Sequence, residues 1–172
     1  KVVYSDCKVR SVPLEHYLWV SCYENKIEDK KKRDYEHLLN KPLLFRDSKG
    51  NFNDKNYHSV NNLQSYIYNN RIFIKRIHVY NELIKHLQEN NLLPAINFIY
   101  SRKEVERLAN SMQCRLLSAE ESLKAEKEAR SIVRKLPNAE EFIKMPQFQQ
   151  LIKLVERGIG IHHSGMLPIL RE

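Results

Sequence analysis

Apolar residues in the second half of the chain recur at helical spacing. One set falls at positions i, i+3, i+4 and i+7, which places its members on one face of a helix: Tyr80, Leu83, Ile84 and Leu87. The same spacing predicts three further helices, on Val105, Leu108, Ala109 and Met112, on Ala129, Ile132, Val133 and Leu136, and on Phe148, Leu151, Ile152 and Val155. Each helix is therefore expected to present one apolar face to a core.

Two of these helices carry a start signal. Ser101 and Glu104, and again Ser118 and Glu121, have the Ser-x-x-Glu spacing of a capping box, in which side chain and backbone satisfy each other at a helix N-terminus. Helices are therefore expected to begin directly after Ser101 and after Ser118.

Short apolar runs between the helices predict buried strands. "AINFIY" (95–100) leads into Ser101, and "GIGI" (158–161) is a strand of minimal length. "MLPILRE" (166–172) predicts a further helix after the second strand. Strands alternating with helices predict an α/β fold with a parallel sheet covered on both faces.

The first half of the chain is less regular. Residues 1–20 predict two short extended segments, and 24–37 predict a solvated loop or surface helix. Residues 42–54 contain an apolar run and a Ser-Lys-Gly turn signal, which predict a hairpin. The Asn-rich stretch 55–70 supports no assignment.

Composition narrows the class of protein. The 172 residues suit one domain, no apolar run approaches the roughly 18 residues that a membrane span needs, and the start does not resemble a signal peptide. Three widely spaced cysteines without Cys-x-x-Cys favour free thiols in a reducing compartment. The net charge of +8 favours a polyanionic partner, although a basic ribosomal or scaffold protein would have the same balance.

Candidate chemistry concentrates in "RGIGIHHSGM" (157–166). Adjacent side chains on an extended backbone point to opposite sides, so His162 and His163 are not expected to chelate one ion. Ser164 lacks the glycine pattern of a nucleophile elbow. A metal centre and a catalytic Ser–His pair are therefore disfavoured, and one histidine is expected to pack inward while the other faces the loop.

The loops after the two predicted strands each precede a helix, whose free N–H groups favour an anion. Gly165 has two interpretations: a phosphate approaches where a Cβ would block it, or the turn needs a positive φ. Ser101 is either a plain N-cap or an N-cap that also contacts phosphate beside Arg102. No Gly-x-x-x-x-Gly-Lys-Ser/Thr loop for ATP occurs in the chain.

Four stretches resemble Ski-type RNA helicases of superfamily two, the branch that feeds RNA to the exosome, and their order along the chain agrees with that of the family. "ERGIGIHHSGMLPILRE" (156–172) is similar to the strand–loop–helix that meets RNA in the second RecA-like domain. "PAINFIYSRKEVERLA" (94–109) resembles motif IV, although its strand is less uniformly apolar. "SVPLEHYLW" (11–19) resembles the crossing from the first RecA-like domain, and "LLFRDSKGNFNDKNY" (43–57) the hairpin before motif IV.

The resemblance implies a fold and a set of boundaries. It implies part of a RecA-like three-layer domain with a parallel sheet, preceded by a polar insertion with a β-hairpin. Residues 1–20 would be the inter-domain crossing, 21–75 the insertion, and 76–172 the N-terminal part of the second RecA-like domain. The family's ATP-hydrolysing motifs would lie outside this chain, so ATP and Mg²⁺ are expected in the full-length parent protein and not on the chain alone.

The resemblance also implies site residues and partners. Ser101 and Arg102 on one loop, and His163, Ser164 and Gly165 on the other, would lie side by side as part of an RNA track. The implied partners are single-stranded RNA and an RNA-decay complex such as the exosome, without a membrane, in an intracellular setting that is nuclear, cytoplasmic or viral. A DNA helicase of the same superfamily and a non-enzymatic RNA-binding scaffold stay open as alternatives.

Overall fold

The computed structural model describes residues 12–170, which fall into two compact units, one up to His86 and one from Leu87 onward. The first contains β1 (His16–Leu18), a 3-10 helix (Glu24–Lys26), α1 (Asp29–Tyr35), β2 (Leu43–Arg46), α2 (Asp54–Asn69) and α3 (Arg76–Glu89). The boundary between the two units falls within the last turn of α3. The second contains α4 (Arg102–Ser111), α5 (Ala119–Arg134), α6 (Ala139–Lys144), α7 (Pro146–Val155) and a 3-10 helix (Pro168–Leu170). The expectations for residues 1–11 and 171–172 lie outside the described residues.

The strands of the first unit pair with each other. β1 and β2 are antiparallel, with Leu18 opposite Leu43 and an irregularity at the other end. After β2 the chain turns tightly and returns, so that Arg46 bridges Phe52. Gly50 has a φ of +94° in this turn, a conformation that favours glycine. The predicted hairpin at 42–54 is therefore present, but the main partner of β2 is β1.

A helix was missing from the predictions for this unit. α2 covers most of the stretch left unassigned, and it begins at the N-cap Asn53, whose side chain accepts a hydrogen bond from Asn56 N at 3.0 Å. The helix contributes two of the seven buried core residues, which are Val20, Cys22, Ile27, Leu38, Leu39, Val60 and Leu63. Val60, Leu63 and the packed Ile67 have helical spacing, which is the signal that predicts this helix.

Helices in the second unit begin and end where the sequence indicates. Ser118 and Glu121 form the predicted capping box of α5, and α7 ends before Gly158, which has a φ of +78°. One buried cluster of this unit consists of Val133, Phe148, Ile152 and Leu170, and Leu108, Ala109 and Leu154 are buried outside it. The predicted face of α5 is correct for Val133 but wrong for Ile132, which is 63% exposed. The short α6 was not predicted.

The predicted parallel sheet is not present among the described residues. Between residues 12 and 170, the sheet consists of the antiparallel pair β1 and β2. Residues 95–100 form no strand and are largely exposed, with Phe98 at 86%, and "GIGI" forms no strand either. A strand needs a neighbouring strand for its backbone N–H and C=O groups, and residues 12–170 provide no such strand for these two segments. The coarser expectation, a mixture of helices and strands, is correct.

Candidate nucleic-acid interface

Ser101 caps the N-terminus of α4, as predicted. Its backbone is extended, with φ −113° and ψ 123°, and its Oγ accepts a hydrogen bond from Glu104 N at 3.4 Å. Arg102 follows as the first helical residue and is exposed. No ion pair joins Arg102 to another of the described residues, so its guanidinium is available to an anion in solution.

The second predicted loop is a tight turn. Met166 N donates to His163 O at 3.2 Å, which closes a turn through Ser164 and Gly165. His162 is exposed, whereas the side chain of His163 is only 9% exposed. The expectation that one histidine packs inward and the other faces outward is confirmed.

The imidazole of His163 joins its own loop to α4. Its Nδ1 accepts a hydrogen bond from Gly165 N at 3.2 Å, which leaves the ring proton on Nε2 when the ring is neutral. Nε2 lies 3.1 Å from Glu106 Oε1 on α4. Nε2 has no hydrogen bond of normal geometry, so this approach is an electrostatic contact between the N–H edge of the ring and the carboxylate. Glu106 stands four residues after Arg102, on the same helix face.

Gly165 brings the two loops into contact. A Cβ at this position would lie 3.2 Å from His163 Nδ1 and 3.4 Å from Arg102 Cδ. The φ of Gly165 is not in the left-handed region, since only Gly50 and Gly158 among the described glycines have a positive φ. The interpretation that glycine is needed for a positive φ is therefore wrong. What glycine provides is space beside His163 and Arg102.

Arg157, which the sequence analysis did not single out, anchors the segment that leads into this turn. Its guanidinium donates to Met112 O and, at 3.4 Å, to Cys114 O, just beyond the C-terminus of α4. Leu116 N donates in return to Arg157 O at 2.9 Å. These bonds fix the chain leaving α7 beside the chain leaving α4. Nothing in the local sequence indicates these partners, because they lie more than 40 residues apart.

Residues 12–170 contain no cluster of three or more His, Cys, Asp or Glu side chains that could hold a metal ion. No described helix is long and apolar enough to cross a membrane.

About half of the chain is similar to curated RNA helicases. It is 36% identical over 91 residues to the exosome RNA helicase MTR4 of Homo sapiens, and 36% identical over 92 residues to the DExH-box ATP-dependent RNA helicase DExH9 of Arabidopsis thaliana. It is 28% identical over 92 residues to the antiviral helicase SKI2 of Saccharomyces cerevisiae. Each match covers 53% of this chain.

The resemblance to Ski-type RNA helicases is confirmed. The chain spans only about 9% of the length of MTR4 and DExH9 and about 7% of SKI2. No protein-family profile matches the chain. The similarity to Ski-type helicases therefore concerns a small part of much longer proteins.

Proposed function

We propose that this chain is part of an ATP-dependent RNA helicase of the Ski type and that it contributes contacts to the RNA backbone. The observation that carries the proposal is the contact between the loops at Ser101–Arg102 and His163–Gly165, in a chain similar to MTR4 and SKI2. The names of MTR4 and DExH9 both specify an RNA helicase, which favours RNA over the DNA alternative.

The chemistry of the two loops suits a phosphate. The first N–H groups of α4 have no partner within the helix and carry its partial positive charge, and Arg102 adds a full charge beside them. Gly165 leaves this surface without a side chain, so a phosphate could come close to the backbone. Glu106 would repel the same phosphate. His163 bridges Glu106 and Gly165, and its Nε2 proton points the ring's positive edge toward that carboxylate.

The proposal includes a fold for the parent protein. Segments 95–100 and 158–161 would become neighbouring strands of a RecA-like parallel sheet once other parts of the parent supply partner strands. Residues 1–20 would then cross between domains, 21–75 form the insertion, and 76–172 begin the second RecA-like domain. ATP and Mg²⁺ would bind to the parent outside this chain, single-stranded RNA and an exosome-type decay complex would be its partners, and its setting would be intracellular.

The test is a pair of glycine variants in the intact parent. Gly165→Ala places a methyl group 3.2 Å from His163 and beside Arg102, whereas Gly160→Ala meets nothing within 4 Å. The Gly165→Ala variant should lose one charge-assisted phosphate contact, which contributes ~1.4 kcal/mol to the binding free energy. Its affinity for RNA should therefore be about tenfold lower. RNA-stimulated ATPase should fall with it, while basal ATPase matches that of Gly160→Ala. Both variants are compared well below their melting temperatures, because the methyl group at position 165 also crowds His163.

His163→Ala is the companion variant. Without the imidazole, Glu106 faces the loop directly, so RNA affinity should fall in the same direction as for Gly165→Ala. If Gly165→Ala and His163→Ala both bind RNA and respond to it as Gly160→Ala does, the loop is a structural turn and not part of an RNA track.

A further inference from the structure

The first unit has a cleft that the helicase resemblance does not explain. Its volume is about 690 Å³, within the range of ligand-binding pockets. It lies between the 3-10 helix at Glu24–Lys26, the C-terminal end of α2 and the extended segment that follows it. The cleft is contained in the first unit, whereas the loops at Ser101 and Gly165 belong to the second.

Positive charge predominates in this cleft. Lys26, Arg71 and Lys75 line it and are exposed, and Glu28 is the one acidic residue in its lining. None of the three cations has an ion pair or a side-chain hydrogen bond with another described residue. The backbone N–H of Glu28 donates to Tyr66 Oη at 3.3 Å, which ties the start of α1 to α2 across the cleft wall.

Aromatic rings lie among these charges. Phe73 is 77% exposed, although Ile72 and Ile74 on either side pack against the core. This alternation is that of an extended backbone, and it holds the phenyl ring out over the cleft. Tyr23, which directly precedes the 3-10 helix, is stacked on His78 with ring centroids 4.2 Å apart, which fixes its orientation. A fixed ring and an exposed ring beside free cations form the combination that binds single-stranded nucleic acid.

Arg71 occupies a position where glycine would be favoured. α2 ends with Ile72 N donating to Ile67 O at 3.0 Å, and Arg71 between them has a φ of +52°. This left-handed conformation is unfavourable for a residue with a Cβ, and helices usually place glycine or asparagine there. The guanidinium therefore sits in the cleft at a conformational cost that a glycine would avoid.

We propose that this cleft binds a short segment of single-stranded RNA. Lys26, Arg71 and Lys75 would hold successive phosphates, and a base would stack on Phe73. The contact is additional to the loops at Ser101 and Gly165 and does not depend on ATP or on helicase activity. A free nucleotide shares the same phosphate-and-base chemistry, so the experiment must separate a strand from a mononucleotide.

The experiment measures binding of a fluorescein-labelled pentauridylate to the 172-residue chain by anisotropy at low salt. Arg71→Gly removes the cation and relaxes the left-handed φ, so binding should weaken about five- to tenfold while the melting temperature stays equal or rises. Phe73→Ala removes a mostly exposed ring and should weaken binding by a similar factor. Lys55→Gln is the matched control for charge, because Lys55 is exposed at the other end of α2, about 22 Å away along the helix.

The outcomes separate the cleft from its alternatives. Equal affinities for Arg71→Gly, Phe73→Ala and Lys55→Gln would overturn the proposal, since binding would then reflect net charge alone. AMP that competes as strongly as the pentamer would assign the cleft to a mononucleotide and overturn the strand proposal. Loss of binding in Arg71→Gly but not in Phe73→Ala, together with competition by inorganic phosphate, would overturn the strand proposal and indicate a site for a simple anion. Arg71→Gly and Phe73→Ala should weaken pentauridylate binding by the same factors whether or not the chain also carries Gly165→Ala. Failure of the loop proposal and failure of the cleft proposal are therefore distinguishable.

Discussion

The first unit pairs its two strands with each other, whereas the two strand-like segments of the second unit pair with nothing among residues 12–170. In the first unit, β1, β2 and α2 enclose a core of seven buried residues. In the second, helices α5 to α7 pack around a buried cluster of four residues, and the apolar segment 95–100 stays exposed. The candidate RNA loops follow directly after the unpaired segments.

The difference shows what an apolar run does and does not specify. Leu43–Arg46 becomes a strand because His16–Leu18 lies beside it and satisfies its backbone groups. Residues 95–100 are as apolar, yet without a neighbouring strand they expose Ile96, Phe98 and Tyr100. An apolar run therefore predicts a preference for a sheet, and a sheet forms only where partners are within reach.

Substitutions in the two cores should have the largest effect on the free energy of unfolding. Leu63 on α2 and Phe148 on α7 are 0% and 1% exposed. Truncation to alanine should lower the free energy of unfolding by about 2–5 kcal/mol for Leu63→Ala and about 3–5 kcal/mol for Phe148→Ala. Hydrogen exchange should accelerate mainly in α2 for the first variant and in α7 for the second, because each residue belongs to a separate core. Equal acceleration in both helices for either variant would contradict the separation into two cores.

Acid should weaken the second unit through the capping box. Hydrogen bonds from the backbone N–H and the hydroxyl of Ser118 lower the pKa of Glu121. A lowered pKa in the folded state stabilises the fold above the unfolded pKa, about 4.3 for Glu, and this contribution is lost as the pH falls through the folded pKa. Denaturant titrations from about pH 6 to about pH 3 should therefore show a smaller loss of stability for Glu121→Gln than for the native chain. Glu120→Gln, in the same turn, is the control, and a loss equal to that of Glu121→Gln would contradict the role of the box.

Phe98→Ala should have the smallest effect on the free energy of unfolding. Phe148→Ala is its matched comparison, because it is the same truncation at a buried position. Since Phe98 is 86% exposed, its truncation should change the free energy of unfolding of the 172-residue chain by less than about 0.5 kcal/mol. In the intact parent, where we propose that 95–100 joins a sheet, the same change should cost several times more. A loss in the chain alone as large as that of Phe148→Ala would show that the segment is already buried.

Residues that act within one turn of their neighbours could be predicted from the sequence. The N-cap at Ser101, the capping box at Ser118 and the opposite orientations of His162 and His163 all depend on local geometry. The contact of Gly165 with Arg102, although expected from the resemblance, depends on Arg157 and its carbonyl partners, which no local pattern reveals. The predicted strand at 95–100 does not form in this chain, because an apolar pattern does not specify a neighbouring strand. Helix α2 was missed because asparagines surround its apolar positions.

The most direct test of the RNA track is a heteronuclear NMR titration of the 172-residue chain with a short single-stranded RNA at low salt. We expect the amides of Ser101, Arg102, Ser164 and Gly165 to shift together, with one common dissociation constant, because the two loops would hold adjacent phosphates. The affinity should fall steeply as salt is added. Saturable RNA binding that leaves the amides of both loops unshifted would show that these loops are not an RNA track.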